Sequence, residues 1–360
     1  MYSLLEIILY YFISGLVVNF LITKILLKYY KKLQLVDYPD QRKMHADSMP
    51  VVGGLGIFIT ILLGSFFVLT FSIPQALLNT QQIVTLYIST IIIVLTGLID
   101  DIKGIGPFNK FLFQIIAALI FLIGFDLYFE SIFGFNYSYF DFIVNIFFIV
   151  GITNAFNLLD GLDGLAGGVS LIICITLSVL SYLSGQSIHQ LGILILLSGC
   201  LVSFLFFNKT PAKTFLGDTG SLFLGWIFSI SSVYFFEKTT LSLSILLPLM
   251  ILGLPTFDVI FVMLSRFTRR HRYNLSFINR FKYIFKPDNT HLHHLLLRGG
   301  LSKFNTVIFL YIITLLSCLI CLIFWFNREE VNLLYGLIFI LLLIFSLRFY
   351  HELKIKSRKK

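Results

Sequence analysis

Eleven apolar runs, each bounded by charged or turn-forming residues, leave this chain few architectures: 4–27, 51–71, 82–99, 111–125, 140–157, 167–183, 190–207, 220–236, 241–265, 305–325 and 331–349. Crossing a bilayer takes roughly 20 apolar residues, and most of the runs approach or exceed that length. In lipid the backbone polar groups must be satisfied within the segment, so these runs are helices. With 58% hydrophobic and only 12% charged residues, the chain is predicted to be an all-α polytopic integral membrane bundle of about 11 transmembrane helices. Such helices pack only against one another. This predicts a single transmembrane domain over 1–350 with active-site loops 37–54, 100–110, 154–168, 208–221 and 266–304, followed by a basic tail, 351–360. The first run is longer than a signal-peptide core and is followed by Lys28, Lys31 and Lys32 instead of a cleavage site, so it is read as a retained span.

Charge sets the expected orientation. Placing the first connection inside puts all of the 27 Lys and Arg residues except Lys238 and Arg328 at or near the cytoplasmic side. Cytoplasmic loops carry such an excess, so the N-terminus is expected outside and the C-terminus in the cytoplasm. The same rule accounts for the formal net charge of +9, and no nucleic acid is expected as a partner. Bilayer lipids are. Cys174, Cys200, Cys318 and Cys321 all lie within apolar runs, where a thiol packs as a small hydrophobe. His189, His271 and His351 stand apart from other polar groups and are read as surface residues.

Five polar patches then fall on the cytoplasmic side: 37–54, 100–110, 154–168, 215–225 and 288–300. Asp100 and Asp101 end an apolar run, where negative charge opposes the helix dipole. Adjacent helical positions point about 100° apart, so one could bind a metal while the other acts as base or nucleophile. Asn154, Asn157 and Asp160 recur at three-residue steps in NAFNLLDGLDGLAGG and can converge on one ligand. Asp163 joins them if the helix breaks near Gly161, because glycine is a poor helix residue. Asp218, between Gly217 and Gly220, is open to close approach by phosphate or metal, and Phe215 offers a ring to a nucleobase. His291, His293 and His294, with Arg298, are suited to anionic oxygens. Asp37, Arg42, Lys43 and His45 are further substrate-binding candidates. Hard carboxylate oxygens beside phosphate favour Mg²⁺, with Mn²⁺ as a substitute. Together these groups describe phosphoryl transfer between a lipid and a water-soluble substrate. A transporter would keep its polar groups near the midplane on repeated halves, a pattern not seen here.

NAFNLLDGLDGLAGG together with FLGDTGS resembles the polyprenyl-phosphate N-acetylhexosamine-1-phosphate transferases, over about 37–300. The resemblance implies an enzyme that transfers a sugar 1-phosphate from a UDP-sugar to undecaprenyl phosphate, releases UMP and requires Mg²⁺. It implies a bacterial plasma membrane location with the site on the cytoplasmic face, and admits a homodimer. Asp100 and Asp101 match the family's Asp pair, implying contact with metal or lipid phosphate. Lys110 matches a basic residue after that pair, and Asn157, Asp160 and Asp163 match the NxxDGxDG stretch facing nucleotide and metal. Asp218 matches a metal-binding Asp, so the implied metal set is Asp160, Asp218 and Asp101. The HLHH run, His291 to His294, resembles the HxHH form of the UDP-N-acetylglucosamine branch and implies UDP-GlcNAc as donor for the first membrane step of a surface polysaccharide. The chain departs from the peptidoglycan enzymes at Ala46, where they carry Lys. It also has Gly104 where the family often has Lys, with Lys103 one position earlier. The alternative donors are other UDP-N-acetylhexosamines, including UDP-MurNAc-pentapeptide.

Overall fold

The computed structural model describes residues 4–38, 48–71, 79–127, 138–185, 188–236, 245–269, 290–327 and 330–357. They form thirteen helices and one short β-ribbon, which establishes the all-α membrane class. Seven helices among the described residues are long and apolar enough to cross a membrane: Leu4–Tyr29, Thr80–Lys103, Pro107–Phe125, Tyr139–Leu159, Leu165–Leu183, Leu191–Asn208 and Lys303–Phe326. The shorter apolar helices Gly53–Phe66 and Tyr335–His351 accompany them. The chain divides into two compact units, Met1–Ser244 and Ile245–Lys360, described in turn.

The first unit contains α1 (Leu4–Tyr29), α2 (Gly53–Phe71), α3 (Thr80–Lys103), α4 (Pro107–Phe125), α5 (Ser138–Leu159), α6 (Leu165–Leu183), α7 (Ile188–Asn208) and α8 (Gly217–Phe236). Helix α8 is central, packed against α2, α3 and α5, while α7 packs against α1, α2 and α6. The interior position of α8 follows from its side chains: Trp226, Phe223 and Phe228 are fully buried, and Trp226 Nε1 donates to Thr90 Oγ1 of α3 at 3.0 Å. Large apolar groups on other helices, such as Leu63, Ile123 and Phe147, remain exposed. That surface suits lipid, which offers no hydrophobic drive to bury it. Between α1 and α2, β1 (Val36–Asp37) pairs antiparallel with β2 (Met49–Pro50).

The second unit contains α9 (Leu246–Ile251), α10 (Gly253–Arg269), α11 (Leu292–Arg298), α12 (Lys303–Asn327) and α13 (Glu330–Ser357). Helices α9, α10 and α11 each pack on α12 and α13. The run expected as one span over 241–265 is two helices broken at Leu252. Pro255 supplies the reason, since its ring clashes with the carbonyl four residues earlier and it has no N–H to continue the ladder. All four cysteines are buried thiols.

Candidate active site

Four helix ends of the first unit carry the carboxylates. Helix α3 ends at Lys103, and the turn through Gly104, at φ 68°, caps it by donating to the Asp100 carbonyl at 2.8 Å. The chain re-enters helix at Pro107, a residue whose missing N–H and fixed φ suit a first helical position. This tight reversal brings Lys110, in the first turn of α4, back onto Asp100. The Lys110 Nζ lies 2.6 Å from Asp100 Oδ2 and also bonds Asp218 Oδ2 at the start of α8. Asp100 Oδ1 accepts from the Ile105 backbone at 2.7 Å. Asp100, Lys110 and Asp218 therefore form one charged trio, each partly exposed.

Asp101 points elsewhere, as adjacent helical positions require. Its Oδ1 accepts from the Asp218 N–H at 2.8 Å, and its Oδ2 accepts from the Thr219 N–H at 2.9 Å and the Thr219 hydroxyl at 2.5 Å. The carboxylate that opposes the dipole of its own helix thus caps the N-terminus of α8, where negative charge is favoured. The close approach depends on Gly97, one turn earlier, where a Cβ would lie 2.5 Å from Thr219 Cα. Three donors thus meet the Asp101 oxygens.

The stretch around Gly161 breaks the helix. Helix α5 ends at Leu159, Gly164 adopts φ 80°, and α6 begins at Leu165. Asn157 Nδ2 donates to Ser221 Oγ on α8 at 3.0 Å and also bonds Asp218. Asp160, just beyond α5, is pushed up to about 7 by burial and then by the charges of Asp218 and Asp101. A hydrogen bond from the Gly217 backbone opposes that rise. Asp163 Oδ2 accepts from the Ala212 N–H at 3.2 Å and so ties the break to the loop before α8.

Asn154 departs from expectation. Its amide donates to Gln114 Oε1 of α4 at 2.5 Å and to the Val150 carbonyl at 2.9 Å. An amide within a span needs partners there, and this one joins α5 to α4 instead of converging with Asn157. The loop before α8 is pinned by residues that the sequence did not single out. Asn208 accepts from the Gly164 N–H and donates to the Thr214 carbonyl, both at 2.8 Å. Thr214 Oγ1 donates to the Pro50 carbonyl at 3.0 Å, and the Phe215 backbone bonds Pro50 and Gly53. The Phe215 ring is partly exposed, and Asp37 sits on β1 opposite Met49. Arg42, Lys43 and His45 lie outside the described residues.

The histidine run belongs to the second unit. His291 Nδ1 donates to Asp258 Oδ2 at 2.8 Å, and Asp258 Oδ1 accepts from the Leu292 N–H at 2.8 Å and from Arg348 Nη1 at 3.2 Å. His293 is buried between its neighbours, and burial holds it down at about 3. Its ring packs against those of His291 and His294. His294 is partly exposed, and the exposed Arg298 donates to the His294 carbonyl at 3.4 Å. His351, expected at the surface, is buried at 7% exposure beside Tyr350.

Residues 83–236 match a family model described as glycosyl transferase family 4. Over 307 residues the chain is 35% identical to the "Probable undecaprenyl-phosphate N-acetylglucosaminyl 1-phosphate transferase" of Bacillus subtilis strain 168, covering 84% of this chain and 80% of the relative. It is 31% identical over 301 residues to the "Undecaprenyl-phosphate alpha-N-acetylglucosaminyl 1-phosphate transferase" of Thermotoga maritima, covering 82% and 83% of the two chains. A phospho-N-acetylmuramoyl-pentapeptide-transferase of Staphylococcus saprophyticus is 32% identical over 252 residues, or 64% of this chain and 77% of that protein.

Proposed function

The chain belongs to glycosyl transferase family 4, and on that footing we propose that it transfers N-acetylglucosamine 1-phosphate from UDP-GlcNAc to undecaprenyl phosphate, releasing UMP. It would act in the bacterial plasma membrane with its site on the cytoplasmic face, as the first membrane step of a cell-surface polysaccharide such as an O-antigen or a teichoic acid linkage. The observation that carries this reading is the meeting of Asp100 and Asp218 on Lys110, with Asp160 near enough to feel the charge of Asp218.

The cluster has the chemistry for Mg²⁺. Asp100, Asp101, Asp160, Asp163 and Asp218 bring hard oxygen donors, and burial followed by the charges of Asp218 and Asp101 pushes Asp160 upward. No three metal-binding side chains converge among the described residues. Mg²⁺ commonly takes one or two carboxylates and fills its shell with water and substrate phosphates. Asp160 and Asp218 would hold it, and when bound it would neutralise the diphosphate of the donor. Lys110 would exchange a carboxylate partner for a phosphate oxygen and orient the β-phosphorus. A lipid phosphate oxygen then attacks that phosphorus, and the bond to the UMP oxygen breaks with its electron pair leaving on UMP. Asp100 assists at most by taking a proton from the lipid phosphate. Positioning and charge stabilisation supply most of the catalysis in such transfers.

A donor panel tests the reading. Purified protein with undecaprenyl phosphate and Mg²⁺ is expected to label lipid from UDP-GlcNAc in preference to other UDP-N-acetylhexosamines. Preferential labelling from UDP-MurNAc-pentapeptide would favour the second reading, which the similarity to the pentapeptide transferases supports.

A further inference from the structure

Gln114 is the one polar side chain among the buried residues of α4, the others being Ala117, Ala118, Phe121, Leu122 and Phe125. It is 1% exposed, and its Oε1 accepts from Asn154 Nδ2 of α5 at 2.5 Å. Its Nε2 is buried with no hydrogen-bond partner among the described residues. Leaving a donor so placed is costly, whereas replacing both members of a buried polar pair by apolar groups of the same shape is nearly neutral or stabilising. Stability alone therefore does not account for two amides here.

Their place in the fold does. Lys110 and Gln114 are four residues apart on α4, and Asn154 and Asn157 are three apart on α5, so each pair shares a helix face. Lys110 and Asn157 both bond Asp218 at the start of α8. The start of α4 and the end of α5 thus meet on one carboxylate, and about one turn further into each helix the Gln114–Asn154 bond joins them again. Asn154 also donates to the Val150 carbonyl of its own helix at 2.9 Å, so both hydrogens of its amide are committed and its side chain is fixed. The bond limits how far α4 can slide or turn against α5. It thereby limits where the Lys110 ammonium lies between Asp100 and Asp218.

We propose that Gln114 and Asn154 are positioning residues that hold Lys110 in register with Asn157 and Asp218. This rests on the reaction proposed above. The test uses full-length protein with UDP-GlcNAc, undecaprenyl phosphate and Mg²⁺, and two pairs of substitutions. In the apolar pair, Gln114→Leu with Asn154→Leu, the thermal midpoint is expected to match or exceed that of the wild type. Its kcat is expected to fall by up to about 100-fold with little change in donor KM, the cost of misplacing a reacting group by about 1 Å. A wild-type kcat, or a loss of kcat matched by a loss of stability, overturns the proposal. The exchanged pair, Gln114→Asn with Asn154→Gln, keeps the combined reach of the two side chains. It is expected to recover kcat relative to either single substitution, because residues in contact do not act additively. An exchanged pair no better than the single variants also overturns the proposal, and this arm decides if the apolar pair does not fold. Acetic anhydride labelling read by mass spectrometry, without substrate, follows the lysine itself. Lys110 is expected to be labelled several-fold faster in the apolar pair than in the wild type, while the exposed Lys103 is unchanged. A wild type inactive on these substrates would count against the reaction alone; an unchanged Lys110 labelling rate would refute the positioning.

Discussion

The carboxylate cluster of the first unit and the Asp258 cluster of the second are both built from buried or half-buried charge, yet they balance it in opposite ways. Asp258 is matched by Arg348 and His291, with each oxygen occupied and almost no exposure. At Lys110 two carboxylates, Asp100 and Asp218, share one ammonium, the groups remain partly open, and Asp160 nearby is driven upward by burial and then by the charges of Asp218 and Asp101. The difference teaches that the first cluster is incomplete as folded and suited to receive a cation and an anion together. The second is complete and suited to hold a shape.

The largest expected effect breaks the complete cluster. Arg348→Ala leaves Asp258 buried without its guanidinium, and denaturant unfolding should show a loss of about 3–5 kcal/mol, the usual cost of orphaning one member of a buried pair. Next comes Asp218→Asn in the incomplete cluster. Turnover should fall about 10²- to 10³-fold with weakened Mg²⁺ dependence, while unfolding changes little. Unchanged Mg²⁺ dependence at full turnover would remove Asp218 from the metal set. Asp160→Asn should separate activity from stability, lowering turnover while raising metal-free stability at pH 8 by on the order of 1 kcal/mol through relief of like charge.

A further effect is in pH dependence. Asp160 lies at about 7 in the fold against an ordinary value of 3.8, so the folded state binds more protons across that interval. Its contribution to metal-free stability is therefore full below about 4 and is lost as pH rises through about 7. Thermal melts without metal should show this decline, and Asp160→Asn should flatten it. Saturating Mg²⁺ should flatten it as well.

Helix positions were largely legible, because a run of apolar residues in lipid has almost no alternative to helix. The break at Gly161 was legible for the same kind of reason, glycine being locally poor in helix. The division at Leu252 was missed although Pro255 announces it. Asp101 was harder. Its partners Asp218 and Thr219 lie more than 100 residues away, and spacing cannot reveal that one helix end caps another. Arg348 ends the apolar run 331–349, where a positive charge is ordinary. Asp258, a single carboxylate between apolar neighbours, is costly to bury without partners, but had no company in sequence to draw attention to it. Asn154 shows the reverse: helical spacing suggested convergence, and Gln114 on a neighbouring helix took its amide.

The central claim is that the carboxylate cluster supports phosphoryl transfer and not transfer of the sugar alone. UDP-GlcNAc labelled with ³²P at the β-phosphate, given to purified protein with undecaprenyl phosphate and Mg²⁺, separates the two. The account expects the label in the lipid fraction with unlabelled UMP released in equal amount. Label recovered in UDP beside an unlabelled lipid-linked sugar would contradict it.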